Sequence, residues 1–255
     1  MASLASSDIG IATDLITDIW ILSKKPDQIQ PHLLEMLNSS LRRILPDQDK
    51  YPNPIDFVIP TWETLWRVVA VTLAHVHTDT QACRAFQDLF DNPDKAQFRA
   101  PRLGGLFPSV EDHINESLRL YPPVKHISRH VFRQSLLGSF LPASLAAYIP
   151  QRFDMAVADI ESAQRSPLWV PAPDPEIYDP ARFLRQPSQA RDILAFGYGP
   201  LRCVAVHWAP MAAATIVAVI LNQVDGRDLY IVRGDRIGGR VGWDGWSVQR
   251  VNPDT

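Results

Sequence analysis

A mainly α-helical fold with small β-sheets is what this 255-residue chain predicts. Three observations lead there. Apolar residues recur at helical spacing through several long stretches, whereas period-two alternation is confined to short runs. The 22 prolines cluster after Ala100 and between Pro142 and Pro187, so that half should hold short helices and irregular segments. With 46% hydrophobic residues, the chain can bury one large core or two small ones.

The elements follow in order. The opening "MASLASSDIGIATDLITDIWILSKK" is not a signal peptide, because no early basic residue is present and Asp8, Asp14 and Asp18 interrupt its apolar positions. In "DQIQPHLLEMLNSSLRRIL", Leu33, Leu34, Met36, Leu37, Leu41 and Ile44 recur near helical spacing, and residues 1–50 read as lead-in helices. "YPNP" breaks the chain, and a second apolar helix follows over 55–78, whose first turns Pro60 should bend or loosen. "SVEDHINESLRLYPPV" predicts a third helix over 109–121, with Ser109 as N-cap, Asp112 as a capping-box partner, and Pro122 and Pro123 as the stop. "YIPQRFDMAVAD" reads as a strand pair, and "DLYIVRGDRIGGRVGWDGWSVQR" as a terminal hairpin. The longest apolar run, "CVAVHWAPMAAATIVAVIL" at 203–221, approaches spanning length, but His207 and Pro210 interrupt it. It reads as a buried core helix, so the chain contains no membrane segment and, as written, is expected to be cytoplasmic.

Composition removes several function classes. A net charge of −3 without a basic block or stripe argues against a nucleic-acid partner. Cys83 and Cys203 lie far apart with no metal-type spacing, which fits a reducing compartment better than a disulfide framework. His75 and His77, two apart, point to opposite sides of a helix and make no metal site. Asn38 and Asn115 fall in glycosylation-type triplets, but no secretory signal accompanies them. The tail glycines in "GGRVG" lack phosphate-loop spacing.

Three stretches carry chemistry. In "ESLR", Glu116 and Arg119 face one another at i, i+3, the spacing of a helical ion pair. In "DPARF", a proline-bounded turn sets Arg182 beside an aromatic ring. In "FGYGPLRC", glycines let the backbone pass close to a flat group, with the Cys203 thiol at the end. A thiolate there, held by backbone N–H groups, has the character of an iron ligand.

Taken together and in this order, the three resemble the cytochrome P450 superfamily of heme-thiolate monooxygenases. The resemblance runs from Asp56 to Trp246, roughly three quarters of the chain, and "YPPV" and "WDGWSV" look like filamentous-fungal members. It implies a P450 fold of which only the C-terminal half is present, a single partial domain over 1–255. It implies Cys203 as the axial ligand of heme iron, Phe196 shielding its sulfur, and Gly199 and Arg202 completing a cofactor-binding loop. Glu116, Arg119 and Arg182 would form a buried triad behind that loop. Arg129 would face a heme propionate or stand in solvent. Residues 55–78 would be the oxygen-activation helix, in which Glu63 and Thr64 relay protons; Thr64 also reads as an ordinary helical threonine. Pro60 and Thr61 replace the family's small residue and glycine, Leu201 its basic residue, and Ala205 its second glycine.

Members of the family run to about twice this length, and full-length relatives are usually anchored to the endoplasmic reticulum. Two functions follow from the resemblance. One is a monooxygenase oxidising or hydroxylating an apolar small molecule in secondary metabolism, with electrons from NADPH through a separate flavoprotein reductase. The other is a truncated, inactive remnant or incomplete gene product that binds heme or a partner.

Overall fold

The computed structural model describes residues 6–23, 30–133, 152–168, 174–186, 193–225 and 229–251. The chain divides into two compact units, Met1–Thr64 and Leu65–Thr255.

In the first unit, helices α1 (Ser6–Ser23) and α2 (Pro31–Ile44) pack together with the beginning of α3 (Pro54–Val76). Ala12, Leu15, Ile16, Leu37 and Leu41 form its core, with Ile55, Val58 and Trp62 against them. Pro31 opens α2, where a missing N–H costs nothing. Arg42 reaches from that helix to the carbonyls of Tyr51 and Pro52, tying down the break that the sequence places at "YPNP".

The second unit holds α4 (Thr80–Asp91), α5 (Lys95–Arg99), α6 (Val110–Leu120), α7 (Ile160–Gln164), α8 (Arg182–Arg185) and α9 (Ala209–Asp225). Its core joins Val68, Val69 and Val76 of α3 to Ala82, Phe86 and Leu89 of α4, Ile114 and Leu118 of α6, and Ala213, Ala214, Val217 and Ala218 of α9. Small residues on α9 let α4 and α6 come close enough for Phe86 and Ile114 to be fully buried. Asp79 caps α4 by accepting from the Gln81 and Ala82 amides.

Two antiparallel ladders complete the unit. Strand β1 (His126–Arg133) pairs with β2 (Arg152–Asp159) in the register His126 to Asp159, and β3 (Leu229–Val232) pairs with β4 (Ser247–Arg250). The fold is therefore mainly helical with small sheets. Between β3 and β4 the Trp246 indole donates to the Arg236 carbonyl and the Trp243 indole to that of Gly239. A Cβ on Gly234 would fall 2.4 Å from the Trp246 ring, so only glycine fits there.

Two expectations change. "YIPQRFDMAVAD" is not a strand pair: its described part is the single strand β2, whose partner is β1 some twenty residues upstream; residues 148–151 lie outside the described residues. A strand's alternation shows that it is half exposed and says nothing of which strand it meets. Residues 203–221 are not one helix: α9 starts at Ala209, and Val204–His207 form a 3₁₀ turn. Pro210 is the cause, since proline is tolerated in a first turn and not in a helix interior. Helix α3 spans Pro54–Val76, with Pro60 inside it as the sequence places it.

Candidate functional site

Helix α6 is built to hold charge in its interior. Ser109 accepts from the Asp112 amide while the Asp112 carboxylate accepts from the Ser109 N–H, so the capping box is closed in both directions. Burial raises the Asp112 carboxyl above its ordinary range, against those same hydrogen bonds. Pro122 and Pro123 then prevent any continuation beyond Tyr121.

On that helix Glu116 is 0% exposed and Arg119 1%, and Arg182 of α8 is 1% exposed. Arg119 grips Glu116 with two bonds, Nε to Oε2 at 2.8 Å and Nη2 to Oε1 at 2.9 Å. Arg182 Nε donates to the same Oε1 at 3.0 Å, and the Asp179 amide joins it at 2.9 Å. One carboxylate thus faces two guanidinium groups. Further guanidinium donors reach carbonyls: Arg119 reaches those of Gln164, Pro175 and Ile177, and Arg182 those of Asp174 and Ile177. The triad therefore straps the turn-containing segment 174–179 onto α6, and neither spacing nor motif in the sequence pointed to those carbonyls.

Beside the triad lies a second buried polar cluster. Tyr178 stacks on His75 at 3.8 Å with planes 3° apart, and its hydroxyl donates to the His113 carbonyl at 3.0 Å. Ser117 is shared by the helix and α3: it accepts from Thr72 at 2.8 Å and donates to the His113 carbonyl at 3.0 Å. His75 Nε2 and His113 Nδ1 are buried without a hydrogen-bond partner. Burial pushes both imidazoles down to about 4, and pushes the Tyr178 phenol up. His77 sits apart from His75, its Nδ1 against the Leu73 carbonyl and its ring edge-on to Trp246.

The cysteine loop follows a 3₁₀ turn at Leu194–Phe196. Gly197 and Gly199 both adopt positive φ, 75° and 69°, which reverses the chain twice within three residues. A Cβ on Gly199 would meet nothing within 4 Å, so its left-handed backbone, not crowding, demands glycine. The Cys203 amide then donates to the Phe196 carbonyl at 2.8 Å, closing the loop. Cys203 and Arg202 are exposed, Phe196 is half-buried against the core, and Tyr198 and Val204 are 84% and 80% exposed. A cavity of about 590 Å³ lies alongside, lined by Arg99, Glu111, Asn115, Phe196, Arg202 and His207.

The other site residues lie elsewhere. Arg129 is exposed on β1 and donates to the Ser128 carbonyl. Thr64 is half-buried on α3 in the first unit; the side chains of Glu63, Pro60 and Thr61 lie outside the described residues. Cys83 is half-buried, its thiol donating to the Val76 carbonyl at 3.3 Å.

The donor set fits heme and not a bare metal ion. Among the described residues no group of three or more His, Cys, Asp or Glu is placed to hold a metal, and a lone exposed thiol cannot replace four ligands. One thiolate does suffice for iron already held by a macrocycle. The turn is open at Gly199, where a Cβ would meet nothing within 4 Å, and the exposed Arg202 next to the thiol is a cation suited to an acid-bearing group.

Comparison with known proteins points the same way. The family model for Cytochrome P450 matches residues 106–224. A cytokinin hydroxylase of Arabidopsis thaliana is 32% identical over 117 residues, 45% of this chain and 21% of the relative. Cytochrome P450 4F12 of Homo sapiens is 31% identical over 148 residues, 55% of the chain and 26% of the relative. A cytochrome P450 monooxygenase of Cordyceps militaris is 29% identical over 118 residues, 46% of the chain and 22% of the relative. The chain thus spans about a quarter of the length of these relatives. Among the described residues no helix is long and apolar enough to cross a membrane. The matched stretch contains the triad, the strands β1 and β2, and the cysteine loop, and over it the chain is similar to the cytochrome P450 superfamily, a family whose cofactor is heme.

Proposed function

We propose that this chain is the cofactor-bearing, C-terminal half of a heme-thiolate monooxygenase of filamentous-fungal type. It would oxidise or hydroxylate an apolar small molecule in secondary metabolism, with dioxygen and with electrons passed from NADPH by a separate flavoprotein reductase. One observation carries the reading. An ion triad lies buried in the same unit as a single exposed thiol on a glycine-shaped turn. So costly a buried network is hard to explain by stability alone and well explained by loop geometry.

Heme, when bound, supplies the oxygen-activating iron. The chain's own residues do the rest. Cys203 presents one sulfur from a turn that its own amide closes onto Phe196. Arg202 places a cation next to the thiol, and Arg129 offers a second one on β1 for a carboxylate. The Thr64 hydroxyl, with the Glu63 carboxyl one residue before it, can hold and hand on a proton.

A second reading has its own support. Tyr198 and Val204 stand almost fully in solvent beside Cys203, and a site open to water lacks the exclusion that controlled oxygen chemistry needs. The chain would then bind heme or a partner without turnover. The test is coupled turnover: heme-loaded protein, NADPH and a flavoprotein reductase, with product sought across a panel of apolar compounds. The first reading expects substrate-dependent NADPH consumption and an oxygenated product, with Thr64→Ala lowering product formed per NADPH. Thiolate-ligated heme with no product from any compound supports the second.

A further inference from the structure

We infer that Gln164 is a positioning residue whose carboxamide couples the C-terminal end of α6 to the turn that carries the cysteine loop. The inference rests on the reading of Cys203 as the ligand and names a residue that reading does not include.

Gln164 ends α7 and is 0% exposed. Its Nε2 donates to the Leu118 and Arg119 carbonyls at 3.2 and 3.0 Å, two acceptors that helix α6 leaves open at its end. Its Oε1 accepts from the Leu194 amide at 2.6 Å. Its own backbone carbonyl takes a bond from Arg119 Nη1 at 3.1 Å. Leu194 opens the 3₁₀ turn that ends at Phe196, and the Phe196 carbonyl holds the Cys203 amide. A continuous path therefore runs from the Glu116–Arg119 pair through Gln164 to Leu194, Phe196 and Cys203. The triad straps segment 174–179, and Gln164 connects its helix to the turn that precedes the cysteine loop.

The chemistry of the position selects this side chain. It must donate at one end and accept at the other, stay neutral beside a guanidinium, and span the gap between α6 and the turn. Glutamate loses the donors, methionine loses everything polar, and asparagine is one methylene short. Because the site is dry, any group left unmatched there is penalised in full.

The test uses amide hydrogen exchange on the full chain without heme, followed by heme loading. Gln164→Met keeps length and apolar volume and removes all three side-chain bonds. Exchange at the Leu194 and Cys203 amides should rise roughly tenfold, as expected for losing about one hydrogen bond, while Ala213–Ala218 in the α9 core stay unchanged. After heme loading and reduction under carbon monoxide, the thiolate-type share of the Soret band should fall relative to the parent protein. Unchanged exchange at Leu194 and Cys203 overturns the inference even if the melting temperature drops. A uniform rise that includes Ala213–Ala218 also overturns it, since that marks a general structural role. If Gln164→Met does not fold, Leu194→Pro removes the donor at the other end of the joint, at a first-turn position that accepts proline; the same pattern is expected at Cys203. A parent protein that shows no thiolate band sinks the ligand assignment while the exchange result still decides the coupling.

Discussion

Replacing Glu116 by alanine is the perturbation whose cost the structure specifies most fully. The carboxylate accepts four bonds, two from Arg119, one from Arg182 and one from the Asp179 amide, all at 2.8 to 3.0 Å. Removing it leaves two guanidinium groups in a site with 0–1% exposure. Breaking a buried pair in this way costs about 3–5 kcal/mol, chiefly because the partner charges stay behind. That is a large fraction of a typical stability of about 5–15 kcal/mol. For a domain of this size, about 1 kcal/mol moves the melting temperature by roughly 2–4 °C, so a fall of roughly 6–20 °C is expected. Thermal unfolding followed by circular dichroism reads it, with Glu111→Ala as control. Glu111 pairs with Arg99 at 3.3 Å on the surface, 31% and 54% exposed, where such a pair is worth under about 1 kcal/mol. If Glu116→Ala melts within 2 °C of the parent, or no lower than the control, the triad is not the anchor described.

The remaining predictions concern protons, caps and backbone. His75 and His113 are held near 4 by burial, against an ordinary value of 6.5. Between pH 4 and 6.5 both are neutral when folded and protonated when unfolded, so their contribution is complete above pH 6.5 and is lost as pH falls from 6.5 toward 4. The loss is about 3 kcal/mol for each; Arg233 and His77 add to the shift at His75, and Asp79 opposes it at His113. Urea midpoints measured from pH 7 to 4 should therefore fall steeply in the parent and less so in His75→Phe, which keeps a ring against Tyr178; parallel profiles would contradict this. Ser109→Ala opens one side of the capping box and should cost about 1 kcal/mol, read as a shift in the urea midpoint at constant slope. Gly199→Ala should cost roughly 1–2 kcal/mol through its left-handed backbone alone, since its Cβ meets open space; a neutral result would mean that the turn can relax.

How much of this was legible depends on the range of the interaction. Local signals were reliable: the periodicity of 55–77 matches α3, and Ser109, Asp112 and Pro122 set the ends of α6. The partnership of Glu116 with Arg119 is also local, three residues apart on one helix. Arg182 joins it from 66 residues away, and only the order of motifs suggested that. Gln164, Tyr178 and the carbonyls of Pro175 and Ile177 gave no signal, because backbone acceptors carry no sequence identity and a lone glutamine looks like any surface residue. The pairing of β1 with β2 was hidden for the same reason, as alternation does not name a partner. The break between Cys203 and α9 was missed, although Pro210, which suits a helix's first turn, marks where α9 begins.

The central claim is that the Cys203 sulfur binds heme iron as a thiolate, and ligand-specific absorbance tests it most directly. Protein loaded with heme, reduced and exposed to carbon monoxide should show the far red-shifted Soret band of thiolate ligation, because only that form donates strongly enough to the iron. Cys203→Ser should abolish the band. Cys83→Ser should leave it intact, since that thiol already donates to the Val76 carbonyl. Heme uptake with no thiolate-type band while Cys203 is confirmed reduced, or a band that survives Cys203→Ser, would contradict the account.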